Sequence, residues 1–477
     1  MKVVAVLAAV VMMTVLGIIA GVNRKALRWL ALAIPLPMMK WPSFAVMLFS
    51  AELYRGTCRG MEISLCYLLS FAMMVALAFR RVKGRFLPDW GAVFFFLYWL
   101  LSIPSLMNCH PDLDPGLNQT GYMYAWYEIW KMPMMFMVYK AVRGYCKLTD
   151  DVDAPLIGLG IVAVANFLEV GKQHFIWHLA QARGLFAHQN SMAMWALMIG
   201  ALFFAAYLNK PKSRTWRFYS FLFIAGSAAC FRTYSRGAIA CLPVGCFVIV
   251  CVSFLRNFTF RMPSRLIPLV MVGIVGMTLA LPKIIERFEG AAENSANKRV
   301  GLARSAQNMI KDHPWCGVGL NNWGIKINPP YDYAVHRKEF GFSDDFKEGI
   351  VETVYLLVWA ECGTPCFIAL LGLFFWHWWK AFRLTGRLRG QPNFWIAAGA
   401  LGGLTGLYLQ STLEWVLKQS INFAELVIIF ALISYLNEKA DSDDKERKRA
   451  KLAAKKQEPE EPVKAPVETE KGALVYA

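Results

Sequence analysis

Charge is scarce in this sequence. Of 477 residues only 18% are Asp, Glu, Lys or Arg, against about 25% in an ordinary soluble domain. Residues 3–20, 191–208, 237–255 and 266–281 carry none at all. That distribution excludes a chain folded around one water-soluble core. Paired cysteine motifs are missing too. The 11 Cys include no Cys-x-x-Cys and no Cys/His cluster at zinc spacing, which argues against a disulfide framework or a zinc site. Cys230, Cys241, Cys246 and Cys251 lie in apolar runs, where a thiol packs as a small hydrophobe. No soluble-type phosphate loop is present: Gly317-Val-Gly319 has no strand before it and no Lys-Ser/Thr after it, and reads as a tight turn toward the membrane. No internal repeat stands out.

What fills the chain is apolar, 57% of it. A helix needs about 20 residues to cross roughly 30 Å of hydrocarbon, and in lipid only a structure that satisfies its own backbone hydrogen bonds is viable. The sequence therefore predicts an all-α integral membrane protein with about 13 (12–14) transmembrane helices and a partly helical loop domain. The spans are 3–20, 29–50, 63–79, 90–107, 122–139, 155–170, 191–208, 218–231, 237–255, 266–281, 350–379, 394–410 and 421–436. The first lacks a convincing small-residue cleavage site and reads as a retained helix rather than a signal peptide. The second is interrupted by Pro35, Pro37, Lys40 and Pro42, so it is either one kinked helix or two short pieces.

The net charge of +18 is spread over short loops rather than one face, which argues for membrane orientation and against nucleic acid. Arg80–Arg85, Lys210–Arg217, Arg256–Arg265 and Lys380–Arg389 all fall on one side of the predicted spans, as do the seven basic residues between Lys445 and Lys456. Basic loops face the cytoplasm. The chain then divides into helices 1–10 over 1–281, a large periplasmic loop over 282–349, helices 11–13 over 350–436, and a cytoplasmic tail over 437–477, disordered beyond 457 by its Glu/Pro/Lys composition. Within the loop, 297–311 is amphipathic, with Val300, Leu302, Ala303, Ala306 and Ile310 apolar; that stretch is expected to fold.

Four residue clusters map to the outer face. They are Arg183-Gly-Leu-Phe-Ala-His-Gln-Asn190; Thr233-Tyr-Ser-Arg236-Gly; Arg299 followed by His313-Pro-Trp-Cys-Gly317-Val-Gly319-Leu-Asn-Asn-Trp323; and Val351-Glu352-Thr353-Val-Tyr355-Leu356 with Glu361-Cys-Gly363. In order and spacing they resemble the O-antigen ligase and O-antigen polymerase superfamily of bacterial membrane glycosyltransferases, over roughly residues 181–363. That family has an Arg-Gly-x-Phe…Asn element, a Ser-Arg-Gly turn, and a periplasmic loop with an Arg, His-Pro-x-x-Gly-Val-Gly, and a closing His-Asn-x-Tyr-Leu helix. Here Glu352-Thr353 stands where the ligases place His-Asn.

The resemblance implies an inner-membrane enzyme that transfers or polymerises polyprenyl-diphosphate-linked glycans at the periplasmic face, for a surface polysaccharide such as that of lipopolysaccharide. Its partners would be that donor, a glycan or lipid acceptor and membrane lipids. The leaving diphosphate gains negative charge, which fixed cations stabilise, and Arg offers a two-pronged fork for phosphate. On this reading Arg183, Arg236 and Arg299 bind the diphosphate with Asn190 beside them, and Glu352 replaces the family His as base. No metal or cofactor is required.

Plainer readings stand beside these. Arg183 and Arg236 at helix ends snorkel to the interface in one of them, Asn190 caps a helix, and His188, His313 and His336 are structural. An acid such as Glu352 is also favoured at a helix start. Glu128 and Lys131, three residues apart, suit a buried ion pair; Glu352 and Glu361, nine apart, face opposite ways on a helix. The rival classes are a lipid-linked oligosaccharide flippase and a non-catalytic scaffold of the same family.

Overall fold

The structure is a computed structural model and describes residues 2–39, 45–50, 56–80, 90–112, 120–289, 292–334 and 349–457. The described residues are almost wholly helical. In chain order the helices are Lys2–Val22 (α1), Arg24–Ala33 (α2), Leu65–Phe79 (α3), Trp90–Ser102 (α4), Gly121–Thr149 (α5), Asp153–Phe175 (α6), Gln189–Asn209 (α7), Arg214–Arg232 (α8), Arg236–Asn257 (α9), Arg261–Glu289 (α10), Ala292–Asp312 (α11), Trp323–Lys326 (α12), Val354–Arg387 (α13), Phe394–Gln410 (α14) and Ser420–Gln457 (α15). Seven segments, counted among the described residues, are long and apolar enough to cross a membrane. The chain is an all-α membrane protein.

The stretch 29–50 is not one helix. Asn23 caps α2, its side-chain oxygen accepting from the Lys25 and Ala26 backbone N–H groups. The helix then gives way at Pro35 to a short 3₁₀ turn, Leu36–Met38, because proline removes a backbone donor and clashes with the preceding turn. Ala45–Leu48 (β1) pairs antiparallel with Met61–Ser64 (β2). Helices α1 and α3 run side by side in the same direction. A Cβ on Gly17 would lie 2.5 Å from the Ala72 carbonyl oxygen, and one on Gly21 would lie 3.0 Å from the Phe79 ring. Lys2 at the start of α1 donates to the Met47 carbonyl. The described residues between 24 and 48 therefore lie back along α1 in pieces.

Helix α7 is buried along most of its length and lies against α8, α9 and α14. Small residues allow close approach in the same bundle: a Cβ on Gly402 of α14 would lie 2.4 Å from the Gly245 carbonyl oxygen of α9. Helices in lipid gain from such close backbone packing.

Helix α10 runs on through Glu289, past the expected end of its span at 281, and α11 contains the amphipathic stretch. Its inward face is Leu302, Ala306 and Met309, which join Val318, Trp323, Ile327, Val351, Leu357 and Ala360 in a separate apolar core. Val300 is exposed instead. The described residues of the expected loop thus fold, and their core is continuous with the start of α13.

Two compact units result, Met1–Leu436 and Asn437–Ala477. The second is helical as far as Gln457; the tail beyond it, expected to be disordered, lies outside the described residues, as do Arg81, Lys83, Arg85 and His336.

Candidate functional site

Helix ends define two opposite faces of the bundle. One face holds the end of α6, the start of α7, the α8–α9 turn, the start of α13 and the α14–α15 connection. The other is rich in arginine that satisfies helix C-termini. Arg265 donates to the Tyr207, Leu208 and Lys210 carbonyls at 2.6, 2.9 and 2.7 Å, and Arg256 to the Phe382 carbonyl at 2.6 Å. Unpaired C-terminal carbonyls carry partial negative charge, which a cation neutralises.

On the first face, the connection after α14 is drawn in by several elements. The Val354 N–H and the Thr353 hydroxyl both donate to the Ser411 carbonyl, at 3.2 Å each. A Cβ on Gly237, the second residue of α9, would meet Leu413 at 3.4 Å and Gln410 at 3.5 Å. The Ser191 hydroxyl at the start of α7 donates to Gln419 at 2.6 Å. Glu414 sits in the middle of this connection, 5% exposed.

Around Glu414 the side chains of four elements meet. Asn190 Nδ2 donates to Glu414 Oε1 at 2.7 Å, and Arg299 Nη2 from α11 lies 3.6 Å from the same oxygen. Arg299 Nε is also in close contact with Glu352 Oε2, so one guanidinium bridges two carboxylates. Glu414 lies outside the spanning helices, and its carboxyl is pushed up to about 7. Burial is the largest cause and the negative charge of Glu352 the next; Arg299, Asn190 and Arg236 pull it down. Arg236 opens α9 and is electrostatically coupled to this carboxylate. His188 caps α7 by accepting from the Asn190 N–H at Nδ1, and burial pushes its imidazole down against the opposing influence of Glu352. A capping ring of this kind is neutral.

The structure therefore brings Asn190, Arg299 and Glu352 together, with Arg236 within electrostatic reach. Arg183 is placed separately. Its loop is rigid, because Gln173 Oε1 accepts from the Arg183 and Gly184 N–H groups at 2.9 and 3.0 Å and Asn166 Oδ1 from Leu185 at 2.9 Å. The Ala182 N–H donates to the Arg232 carbonyl beside the α8–α9 turn. The Arg183 side chain is exposed and makes no ion pair with a described residue. Sequence reasoning missed Glu414. Its one signal was an acid a few residues after an apolar span, on the face that also holds Arg183, Arg236 and Arg299. No group of His, Cys, Asp and Glu suited to a metal occurs among the described residues.

Behind the site, α13 is broken at Gly363, with φ 79° and ψ 175°. The break frees carbonyls that the loop uses: the Val318 N–H donates to Ala360 at 2.8 Å and the Gly319 N–H to Glu361 at 3.1 Å. Gly317 and Gly319 have positive φ, so the Gly-Val-Gly stretch is the turn expected. Below it lies a buried quartet. Lys131 pairs with Glu128 at 2.7 Å, while Lys418 lies 2.6 Å from Glu361 and 3.8 Å from Glu128. Equal numbers of opposite charges keep it neutral, and removing one partner would strand a buried charge. Asn321 ties the loop to the first half of the chain, donating to the Cys58 and Tyr124 carbonyls at 2.8 and 2.9 Å.

No curated protein matches the chain. The family described as O-antigen ligase matches residues 221–371, a stretch that contains Arg236, Arg299, Glu352 and the Gly317–Gly319 turn and stops short of Glu414. Over that stretch, which holds the Ser-Arg-Gly turn and the loop core packed against one end of a helical bundle, the chain is similar to the O-antigen ligase family.

Proposed function

We propose that this protein transfers or polymerises a glycan carried on a polyprenyl diphosphate, at the periplasmic face of a bacterial inner membrane, to build a surface polysaccharide. The observation that carries the reading is the convergence of Arg299, Asn190 and Glu352 with the buried Glu414 at one end of the bundle, opposite the arginine-rich face. Cations and acids side by side suit a displacement at an anomeric carbon. The arginines stabilise the departing diphosphate, and a carboxylate relieves the attacking hydroxyl of its proton.

Arg236 and Arg299 hold the diphosphate in this scheme, and Arg183 reaches it from the exposed rim. Asn190 orients the acid, and Glu352 is the acid that the sequence alone nominates as base. In the accompanying topology the chain crosses 13 times, counting the broken passage 24–48. Its domains are helices 1–10 over 1–281, the periplasmic loop over 282–349, helices 11–13 over 350–436, and a cytoplasmic tail over 437–477. The parallel course of α1 and α3 supports the broken passage as a crossing, and basic loops supply the orientation.

Deleting the gene and separating surface glycans by gel tests the function. Free long chains without attachment identify a ligase, and loss of long chains identifies a polymerase. An unchanged glycan profile rejects both.

A further inference from the structure

We propose that Glu414, rather than Glu352, accepts the proton of the attacking hydroxyl, and that Glu352 acts as a positioning residue that holds Arg299. The inference rests on the transferase reading above and assigns the proton within it.

The two acids differ in surroundings. The Glu352 side chain is 38% exposed and is committed to Arg299 through Oε2. Glu414 is enclosed. Its Oε1 takes both the Asn190 amide and the Arg299 guanidinium, leaving Oε2 without a hydrogen bond among the described residues. One oxygen is fixed and the other is available. The charged and titratable groups facing it are Arg299 from α11, Glu352 from the start of α13 and Arg236 from the start of α9, with His188 coupled in turn to Glu352. Burial and Glu352 together raise Glu414 to about 7, so near neutral pH it is ionised in part yet binds a proton readily. A base poised near working pH is the efficient one.

The step balances. The acceptor oxygen forms a bond to the anomeric carbon while its proton passes to Glu414 Oε2. The bond from that carbon to the diphosphate oxygen breaks, and its electron pair leaves with the diphosphate toward Arg299 and Arg236. No oxidant or second reactant is needed.

The test uses the full-length protein in membranes with the polyprenyl-diphosphate-linked glycan of its host, followed as turnover against pH. Turnover of the unaltered protein should rise with pH through about 7 and then level, since the base works ionised. Glu414→Gln should lower turnover about 100-fold or more, with binding of polyprenyl diphosphate unchanged. Glu352→Gln should keep more activity and move the rising limb to lower pH, because it removes the negative charge that raises Glu414. Wild-type turnover in Glu414→Gln overturns the assignment, as does a limb that stays in place in Glu352→Gln. Should Glu414→Gln fail to accumulate, that limb decides the matter. The site reading fails separately: Arg236→Ala and Arg299→Ala would then both leave transfer and polyprenyl diphosphate binding untouched.

Discussion

Arginine serves two purposes in this molecule, and the partners of each guanidinium tell them apart. Arg265 is spent on three carbonyls at the end of α7, and Arg256 on the Phe382 carbonyl and the Thr385 hydroxyl. These are structural contacts at helix C-termini. Arg299 faces two carboxylates, and Arg183 stands exposed on a loop held rigid by Asn166 and Gln173. Arg183 and Arg299 stand on the face opposite Arg256 and Arg265, where the proposed diphosphate site lies. Arg183→Lys and Arg236→Lys should each cut glycan transfer about tenfold or more, because a point charge does not replace a planar fork. Full activity in both variants, measured in membranes with protein levels matched, would reduce their role to simple charge at the interface. The recurring Arg at helix and loop ends was legible in the sequence. The acid they share was not: Glu414 follows a span by only a few residues, and nothing in its neighbours announces that Asn190, 224 positions earlier, will meet it.

Among the elements, α13 does the most to build the site, and it does so by failing to be one helix. Gly363 adopts a conformation essentially closed to other residues, and a Cβ there would stand 2.2 Å from the Trp315 carbonyl oxygen. The interruption is the reason two loop N–H groups find partners on α13. Gly363→Ala should therefore cost about 1–3 kcal/mol from the backbone alone, seen as a lower unfolding midpoint in detergent. It should also weaken transfer by loosening the loop that carries Arg299. An unchanged midpoint would mean that the break is tolerated by other residues. Glycine at 363 with proline at 365 is a local pattern that favours such an interruption. The sequence also showed that 297–311 has an apolar face, but not which residues would fill it. Val300 turns outward and Met309 inward because the partner surface comes from Val351, Leu357 and Ala360.

At the scale of the whole molecule, orientation is the claim most open to direct measurement. An alkaline phosphatase fused after Asn322 should be active, and one fused after Lys445 should not. The opposite pattern would invert the topology and remove the site from the periplasm. Hydrophobic runs and basic loops determined that this is a helical membrane protein and which face is basic, because span length and loop charge are local properties that lipid reads directly. The Ser-Arg-Gly turn, the His-Pro…Gly-Val-Gly stretch and their spacing carried the resemblance to the O-antigen ligase family, which matches residues 221–371. The tertiary structure alone decided that the described residues of 29–50 form a helix, a 3₁₀ turn and a strand, since a proline-rich run can kink or break and only its neighbours choose. It alone decided which acid stands among the arginines. That choice depends on burial and on contacts between α7, α9, α11, α13 and the α14–α15 connection, which no local pattern encodes.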